Sequence, residues 1–172
     1  MHLSTKLLIA IVFSIPLAAC EPGVVSKGTE FQRKYSTARK ALEAGNYDSA
    51  IKNYAALIPN AGPLEPRLRL EYAHALLRAG RYDEAAQVAG ALASGRQGSE
   101  RAAALAVQGT ALHESALADM RAGTAGRSTV AKLRAADAAL KEMLALDADM
   151  DPLGAMASRR SDIRREIAQL GG

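Results

Sequence analysis

The sequence predicts an all-α protein in which antiparallel helical hairpins stack as a short solenoid, with a C-terminal helix capping the stack. Hydrophobic residues make up 49% of the chain, aromatic residues only 4%, and there is no Trp. Alanine, the best helix former, carries much of this apolar content. The phrases "ALEAGNYDSAI" (41–51) and "LLRAGRYDEAA" (76–86) also repeat one pattern, with Gly45 and Gly80 35 residues apart. This period is typical of stacked repeat units.

The first 19 residues predict a secretory signal peptide. Lys6 supplies the charge of a short n-region, and an apolar run extends from Leu7 to Ala19. A helix over this run would be about 20 Å long. Because the hydrocarbon core of a bilayer is roughly 30 Å thick, the run is too short to span it.

The end of this segment, Leu17-Ala18-Ala19-Cys20, resembles the lipobox of bacterial lipoproteins. The resemblance implies cleavage before Cys20 and a diacylglycerol on its thiol, and Glu21 favours the outer membrane. The alternative is an ordinary secretory signal with a chance cysteine. Cys20 is the only cysteine, so no internal disulfide can form. We expect residues 20–28 to be a lipidated N-terminus and tether, and the exported protein to face the periplasm.

Two hairpins are predicted from helical spacing, over about 29–62 and 66–98. The inward faces of their four helices are Phe31, Tyr35, Ala38 and Leu42; Ile51, Tyr54, Ala55 and Ile58; Leu68, Tyr72, Ala75, Leu76 and Ala79; and Ala85, Val88, Ala89 and Leu92. Pro59 and the segment "PNAGPLEP" separate the two hairpins.

The turn inside each hairpin has the same residue pattern. Gly45 and Gly80 can adopt a positive φ and cap the first helix. Tyr47 and Tyr82 are expected to fill the angle between the two helices. Asp48 and Asp83 suit the positive end of the second helix dipole. Ala50 and Ala85 permit the two helices to cross closely.

A third hairpin, over 99–150, is more divergent. Its turn is delayed to "AGTAGRS" (122–128), which predicts longer helices and a changed loop. A capping helix over 152–170 follows, with Met156, Ile163, Ile167 and Leu170 on one side. Four arginines, Arg159, Arg160, Arg164 and Arg165, are expected to form its polar outer face.

The phrases "AGNYDSAI" and "AGRYDEAA" resemble the centre of the tetratricopeptide repeat (TPR). The resemblance implies a concave groove, lined by the first helix of each hairpin, that binds peptides or partner proteins. By the family's register the groove positions are Gln32, Tyr35, Arg39, Leu42, Arg67, Leu70, His74, Leu77, Arg78, Thr110 and His113. Arginines in this set could bind carboxylates or a free C-terminus. The alternative is that Arg39, Arg67 and Arg78 are merely solvated.

The residues needed for catalysis or metal binding are not apparent. His74 and His113 have no accompanying nucleophile motif, and no zinc-binding spacing is present. The stretch "DADMD" (147–151) starts like a calcium loop, but Pro152 and Ser158 replace the required Gly and Glu. Lysines and arginines alternate with acids, so no basic stripe for nucleic acid appears. The sequence therefore predicts no enzyme, no cofactor and no metal site.

The predicted function is that of a non-catalytic scaffold, anchored by lipid to the outer membrane, that binds partner proteins. Its lipobox and repeats resemble the pilus-assembly lipoproteins, including pilotins and the TPR lipoprotein of tight-adherence pili. The alternatives are an accessory factor for outer-membrane protein insertion or peptidoglycan synthesis, and a wall hydrolase. The hydrolase would need a polar catalytic cluster that the alanine-rich sequence does not supply.

Overall fold

The computed structural model describes residues 22–171, which fold entirely into helices and connecting turns. The α-helices are α1 (Pro22–Glu43), α2 (Tyr47–Leu57), α3 (Glu65–Arg78), α4 (Tyr82–Ser94), α5 (Gly98–Arg121), α6 (Arg127–Leu146) and α7 (Ala155–Gln169). The predicted all-α fold class is confirmed. Cys20 and the predicted signal peptide lie outside the described residues. No helix between residues 22 and 171 has both the length and the apolar character needed to cross a membrane.

The helices form three hairpins, α1/α2, α3/α4 and α5/α6, stacked in chain order, and α7 packs on the last hairpin. Each helix contacts the next one along the chain, and α3 also contacts α5. The third hairpin is the longest, with helices of 24 and 20 residues. Every hairpin therefore buries its apolar side against its neighbours in sequence, as in a solenoid.

Glycine ends the first helix of the first two hairpins in the same way. Gly45 has φ 77° and Gly80 has φ 76°. The amide of Asn46 donates to the Ala41 carbonyl at 2.8 Å, and that of Arg81 donates to the Leu76 carbonyl at 2.9 Å. These are the six-to-one hydrogen bonds of a Schellman cap, which requires a left-handed residue at the glycine position.

Small side chains fill much of the core. Ala50 and Ala85 are fully buried, as are Ala38 of α1, Ala75 of α3 and Ala111 of α5. Such residues let helix backbones approach closely, which the sequence repeat predicts. One predicted core position is wrong: Ala55 of α2 is exposed, and Leu57 is buried instead.

Two helix boundaries differ from those predicted. Helix α1 covers residues 22–28, inside the segment predicted to be a tether. Helix α7 begins at Ala155 and not at Pro152, after Gly154 with φ 70°. The carboxylate of Asp151 accepts hydrogen bonds from the amides of Met156 and Ala157, both at 3.0 Å, so it caps α7 from the preceding turn.

Candidate functional site

Four side chains from three helices converge on the carboxylate of Glu71 in α3. The hydroxyl of Tyr35 on α1 donates to Oε1 at 2.8 Å, and that of Tyr54 on α2 donates to Oε2 at 2.7 Å. Arg67 Nε donates to Oε1 at 3.1 Å, and Arg39 Nη1 lies 3.7 Å from it. We call these five residues the Glu71 cluster; it joins the first hairpin to the second.

The Glu71 cluster carries more positive than negative charge at its surface. The Glu71 side chain is 16% exposed, whereas the Arg39 and Arg67 side chains are 47% and 60% exposed. The guanidinium of Arg67 also lies 5.8 Å from the centroid of the Tyr35 ring, a cation–π contact that orients it. Arg39 Nε also donates to the exposed Glu43 carboxylate at 3.1 Å. Each arginine has five N–H donors, so both still have donors for another acceptor.

Tyr54 is the buried member of the Glu71 cluster, with its side chain wholly removed from solvent. Burial raises the pKa of its phenol well above the usual range, and the hydrogen bond to the Glu71 carboxylate raises it further. A protonated phenol can donate to a carboxylate, so the folded chain keeps Tyr54 as a hydrogen-bond donor.

Arg78 lies at a second site, between the second and first hairpins. Its Nε and Nη2 donate to the Tyr47 hydroxyl at 3.1 and 2.9 Å, and its guanidinium stands 5.5 Å from the Tyr47 ring centroid. Gly45 and Asp48 help to line an open depression of about 520 Å³ beside this pair. Tyr47, expected to fill its own hairpin, therefore also positions an arginine of the next one.

His74 of α3 is exposed and lies one turn after Glu71, closer to the Glu71 cluster than to Arg78 along the helix. Partial desolvation by neighbouring side chains lowers its pKa, and the Glu71 carboxylate opposes that shift. Tyr35, Arg39 and Arg67 are thus brought together, with His74 one turn along α3 and Arg78 at a separate contact.

His113, also predicted to line the groove, is only 4% exposed and lies beneath α7. Its Nε2 is 2.8 Å from Glu166 Oε2, and its Nδ1 is 2.9 Å from Arg159 Nη1. Because arginine can only donate, Nδ1 accepts and Nε2 carries the proton shared with Glu166. The prediction that His113 faces a partner is wrong, because α7 packs where a further repeat would begin.

The arginines of α7 do not all form an outer face. Arg159 donates to Glu114 at 2.9 Å, and Arg160 forms a two-pronged pair with Asp137 through contacts of 2.9 and 3.3 Å. Arg164 also approaches Asp137, at 3.3 Å, while Arg165 pairs with Asp162 on α7 itself. Three of the four predicted outer arginines, Arg159, Arg160 and Arg164, therefore form ion pairs with the third hairpin.

A polar network that the sequence analysis missed joins α4, α5 and α6. The buried hydroxyl of Ser115 donates to Asp83 at 2.6 Å and accepts from Lys132 Nζ at 2.7 Å. Lys132 also donates to Asp119 at 3.2 Å. Through these bonds the network links α5 to α4 and to α6.

Glu71 was also missed, although a signal existed. It stands four residues after Arg67, the spacing of a helical ion pair, and lies between the predicted core positions Leu68 and Tyr72. Among residues 22–171, no group of three or more His, Cys, Asp or Glu side chains is arranged to hold a metal ion.

Comparison with known proteins gives one family. The family model described as tetratricopeptide repeat matches residues 41–108, from the end of α1 into α5. No match was found among the curated proteins or among the solved structures. The matched segment contains the two Gly-x-Tyr-Asp turns and the Glu71 side chain. The family match supports a TPR protein, and the fold is an all-α, TPR-like helical solenoid.

Proposed function

We propose that this protein is a non-catalytic scaffold that binds a partner protein along the side of the solenoid formed by α1, α3 and the start of α5. The observation that carries the proposal is the Glu71 cluster, in which Arg39 and Arg67 stand exposed and oriented at the surface. TPR domains generally bind proteins, and charge-assisted hydrogen bonds from arginine suit carboxylates.

The geometry favours the interpretation that these arginines bind acidic groups of a partner over the alternative that they are merely solvated. Arg67 is oriented by both a carboxylate and an aromatic ring, and Arg78 by the ring and hydroxyl of Tyr47. Orienting an arginine in advance lowers the entropy lost when it binds an acceptor. The absence of His113 from this surface limits the proposed groove to α1, α3 and the first part of α5.

In this proposal the chain is exported, carries lipid at Cys20 and faces the periplasm from the outer membrane. Two or three acyl chains would hold it there, since each buried methylene contributes about 0.8 kcal/mol. The lipobox and the TPR turns support a partner in a pilus or secretion machine, as in the lipoproteins that the sequence resembles. An insertion or peptidoglycan-synthesis complex is the alternative partner.

Crosslinking in cells, followed by mass spectrometry, tests the partner. Capture of secretin or pilus components by the wild-type chain is expected, and the Arg67→Glu/Arg78→Glu double variant should capture at least several-fold less. Arg134→Glu/Lys141→Glu is the matched control, because both residues are exposed on α6, away from the proposed groove. Capture of wall synthases or insertion machinery would instead support the alternative partner, an insertion or peptidoglycan-synthesis complex. Undiminished capture by the folded double variant would refute the groove.

Replacing Cys20 tests the anchor separately. Cys20→Ser should abolish incorporation of labelled fatty acid and move the chain out of the membrane fraction, while the helical signal in circular dichroism stays unchanged. Continued labelling of Cys20→Ser would contradict lipidation at this residue.

A further inference from the structure

The large hydrophobic side chains that stand exposed between residues 28 and 171 all lie at one end of the solenoid. Leu153 is 93% exposed, and Leu64, Leu146 and Met150 are between 41% and 47% exposed. Leu64 lies just before α3, Leu146 is the last residue of α6, and the other two lie in the turn between α6 and α7. We call this end of the molecule, formed by residues 58–64, 95–97 and 146–154, the leucine end.

Helix α1 also begins at the leucine end. Because consecutive helices run antiparallel, α1, α3, α5 and α7 start at this end, and α2, α4 and α6 finish there. Glu30 of α1 lines one pocket with Leu57 and Asn60, which lie at the end of α2 and just after it. About eight residues of α1 precede this level, which is roughly 12 Å of helix. Since Cys20 stands only two residues before Pro22, a lipid on its thiol would leave the chain at the leucine end.

We propose that the leucine end lies against the lipid surface, with Met150 and Leu153 in the headgroup region. This inference rests on the proposed function, because it takes Cys20 to carry the lipid that anchors the chain. It adds the orientation of the solenoid, whose helices stand steeply on the membrane while the turns at Gly45 and Gly80 point away from it.

The length of α1 is compatible with this contact. The headgroup region is about 5–8 Å deep on each side of a bilayer, because the whole bilayer is about 40–45 Å thick and its hydrocarbon core about 30 Å. With Cys20 at the edge of the hydrocarbon, about half of the roughly 12 Å of α1 that precede Glu30 lies within this region. A lean of the solenoid toward the third hairpin closes the remaining few ångströms to the α6–α7 turn.

The arrangement of the exposed side chains fits a flat surface of low net charge. Leu64 stands at the start of the second hairpin, whereas the other three follow the third hairpin, so they form separate contacts and not one groove. Single exposed hydrophobic residues are common on proteins, but their restriction to the end that would carry the anchor points to lipid. Asp147 and Asp149 lie in the same turn as Met150 and Leu153, and anionic lipid would repel their carboxylates. A surface of zwitterionic phospholipid is therefore the occupant that we infer.

Fluorescence quenching of the acylated chain in vesicles tests the inference. Because Cys20 is the only cysteine and lipid would occupy its thiol, a cysteine introduced elsewhere can be labelled alone. Leu153→Cys and Leu64→Cys place the label at the leucine end, and Ala125→Cys places it on the exposed α5–α6 turn at the opposite end. The vesicles contain phosphatidylcholine and phosphatidylethanolamine, with a fraction of the lipid carrying a spin-label quencher on its headgroup.

The two labels at the leucine end should be quenched about twofold or more, because the headgroup region that holds them is only about 5–8 Å deep. The label at Ala125→Cys should keep its fluorescence. Equal quenching at the two ends of the solenoid, or no quenching of the Leu153→Cys label, would overturn the inference.

Charged substitutions supply a second measurement, read from the label at Leu64→Cys. Met150→Asp/Leu153→Asp should reduce the quenching of this label about twofold, because a carboxylate resists transfer out of water. Ala122→Asp/Ala125→Asp is the matched control at the opposite end, where both alanines are exposed, and should leave quenching unchanged. Circular dichroism checks that both variants are folded. Quenching that survives Met150→Asp/Leu153→Asp in the folded chain would contradict a contact through the α6–α7 turn.

Flotation of the vesicles in a density gradient separates this inference from the proposed function. Chains that float with the vesicles but show no quenching at Leu153→Cys are anchored in another orientation, so only the inference fails. Chains that carry no lipid and do not float would overturn both the anchor and the inference.

Discussion

Leu140 of α6 packs directly against the backbone of Gly109 on α5. A Cβ at Gly109 would lie 2.6 Å from Leu140 Cγ and 3.2 Å from the carbonyl oxygen of Ala136. Leu140 is fully buried and branched at Cγ, so its side chain cannot move away from a new Cβ. Helices α5 and α6 thus cross at a distance that only glycine permits.

Gly109→Ala should therefore destabilise the protein although alanine is the better helix former. Overpacking costs about 1–3 kcal/mol, and the gain in helix propensity is about 1 kcal/mol. We expect a net loss in the free energy of unfolding, measured by urea denaturation. Gly90→Ala is the control, because its new Cβ would meet the flexible end of Gln108. Equal losses in both variants would show that the Leu140 contact does not set the crossing.

Removing the central carboxylate of the Glu71 cluster should weaken the contact between the first two hairpins. Glu71→Ala leaves the buried Tyr54 hydroxyl without its acceptor, at a cost of about 1–3 kcal/mol. In a double-mutant cycle with Tyr54→Phe, the coupling energy should be at least about 0.5 kcal/mol. Glu43→Ala, which removes an exposed carboxylate paired with Arg39, should cost less than about 1 kcal/mol. A coupling energy of zero between the two substitutions would contradict the hydrogen bond from Tyr54 to Glu71.

The raised pKa of Tyr54 predicts a loss of stability in alkali. Above about pH 10 the unfolded chain releases the phenolic proton while the folded chain retains it, because the folded pKa is higher. The unfolded state then binds fewer protons, so the free energy of unfolding falls as pH rises, by at most about 1.4 kcal/mol per pH unit from this group. Tyr54→Phe should show a shallower fall between pH 10 and 11.5 in denaturation titrations. Parallel curves for the two chains would contradict this assignment.

The attachment of α7 should depend on Asp137. Asp137→Ala leaves Arg160, whose side chain is 15% exposed, without its two-pronged partner. We expect a loss of about 1–3 kcal/mol and faster hydrogen exchange in α7 than in α3. Asp162→Ala breaks only the exposed pair with Arg165 on the same helix and should cost about 0.5 kcal/mol or less. Unchanged exchange in α7 after Asp137→Ala would show that apolar packing alone holds it.

The repeated turn made most of the fold predictable. Gly-x-Tyr-Asp at 45–48 and 80–83 fixes where two hairpins fold back, since a left-handed glycine ends each first helix. The delayed turn of the third hairpin was also visible in "AGTAGRS". The start of α7 was not predictable. Asp151 caps this helix from the preceding turn, and the residue pattern does not encode the shape of that turn.

The candidate site was less predictable than the fold. The repeat register brought Tyr35, Arg39 and Arg67 onto the same side, yet it could not show that they meet at Glu71, because that contact joins residues 36 positions apart. His113 was misplaced because its surroundings depend on α7, which lies outside the two regular repeats.

The docking of α7 has a consequence for how copies of this chain can meet. A solenoid that stopped at the third hairpin would present the apolar faces of α5 and α6, a surface on which another copy could continue the array. Helix α7 buries Ile163 there and directs Arg159 and Arg160 into ion pairs with the same hairpin. Its outward side keeps exposed polar residues such as Ser161, Arg164 and Arg165. Helix α7 therefore covers an apolar side of the third hairpin against which a further repeat would otherwise pack.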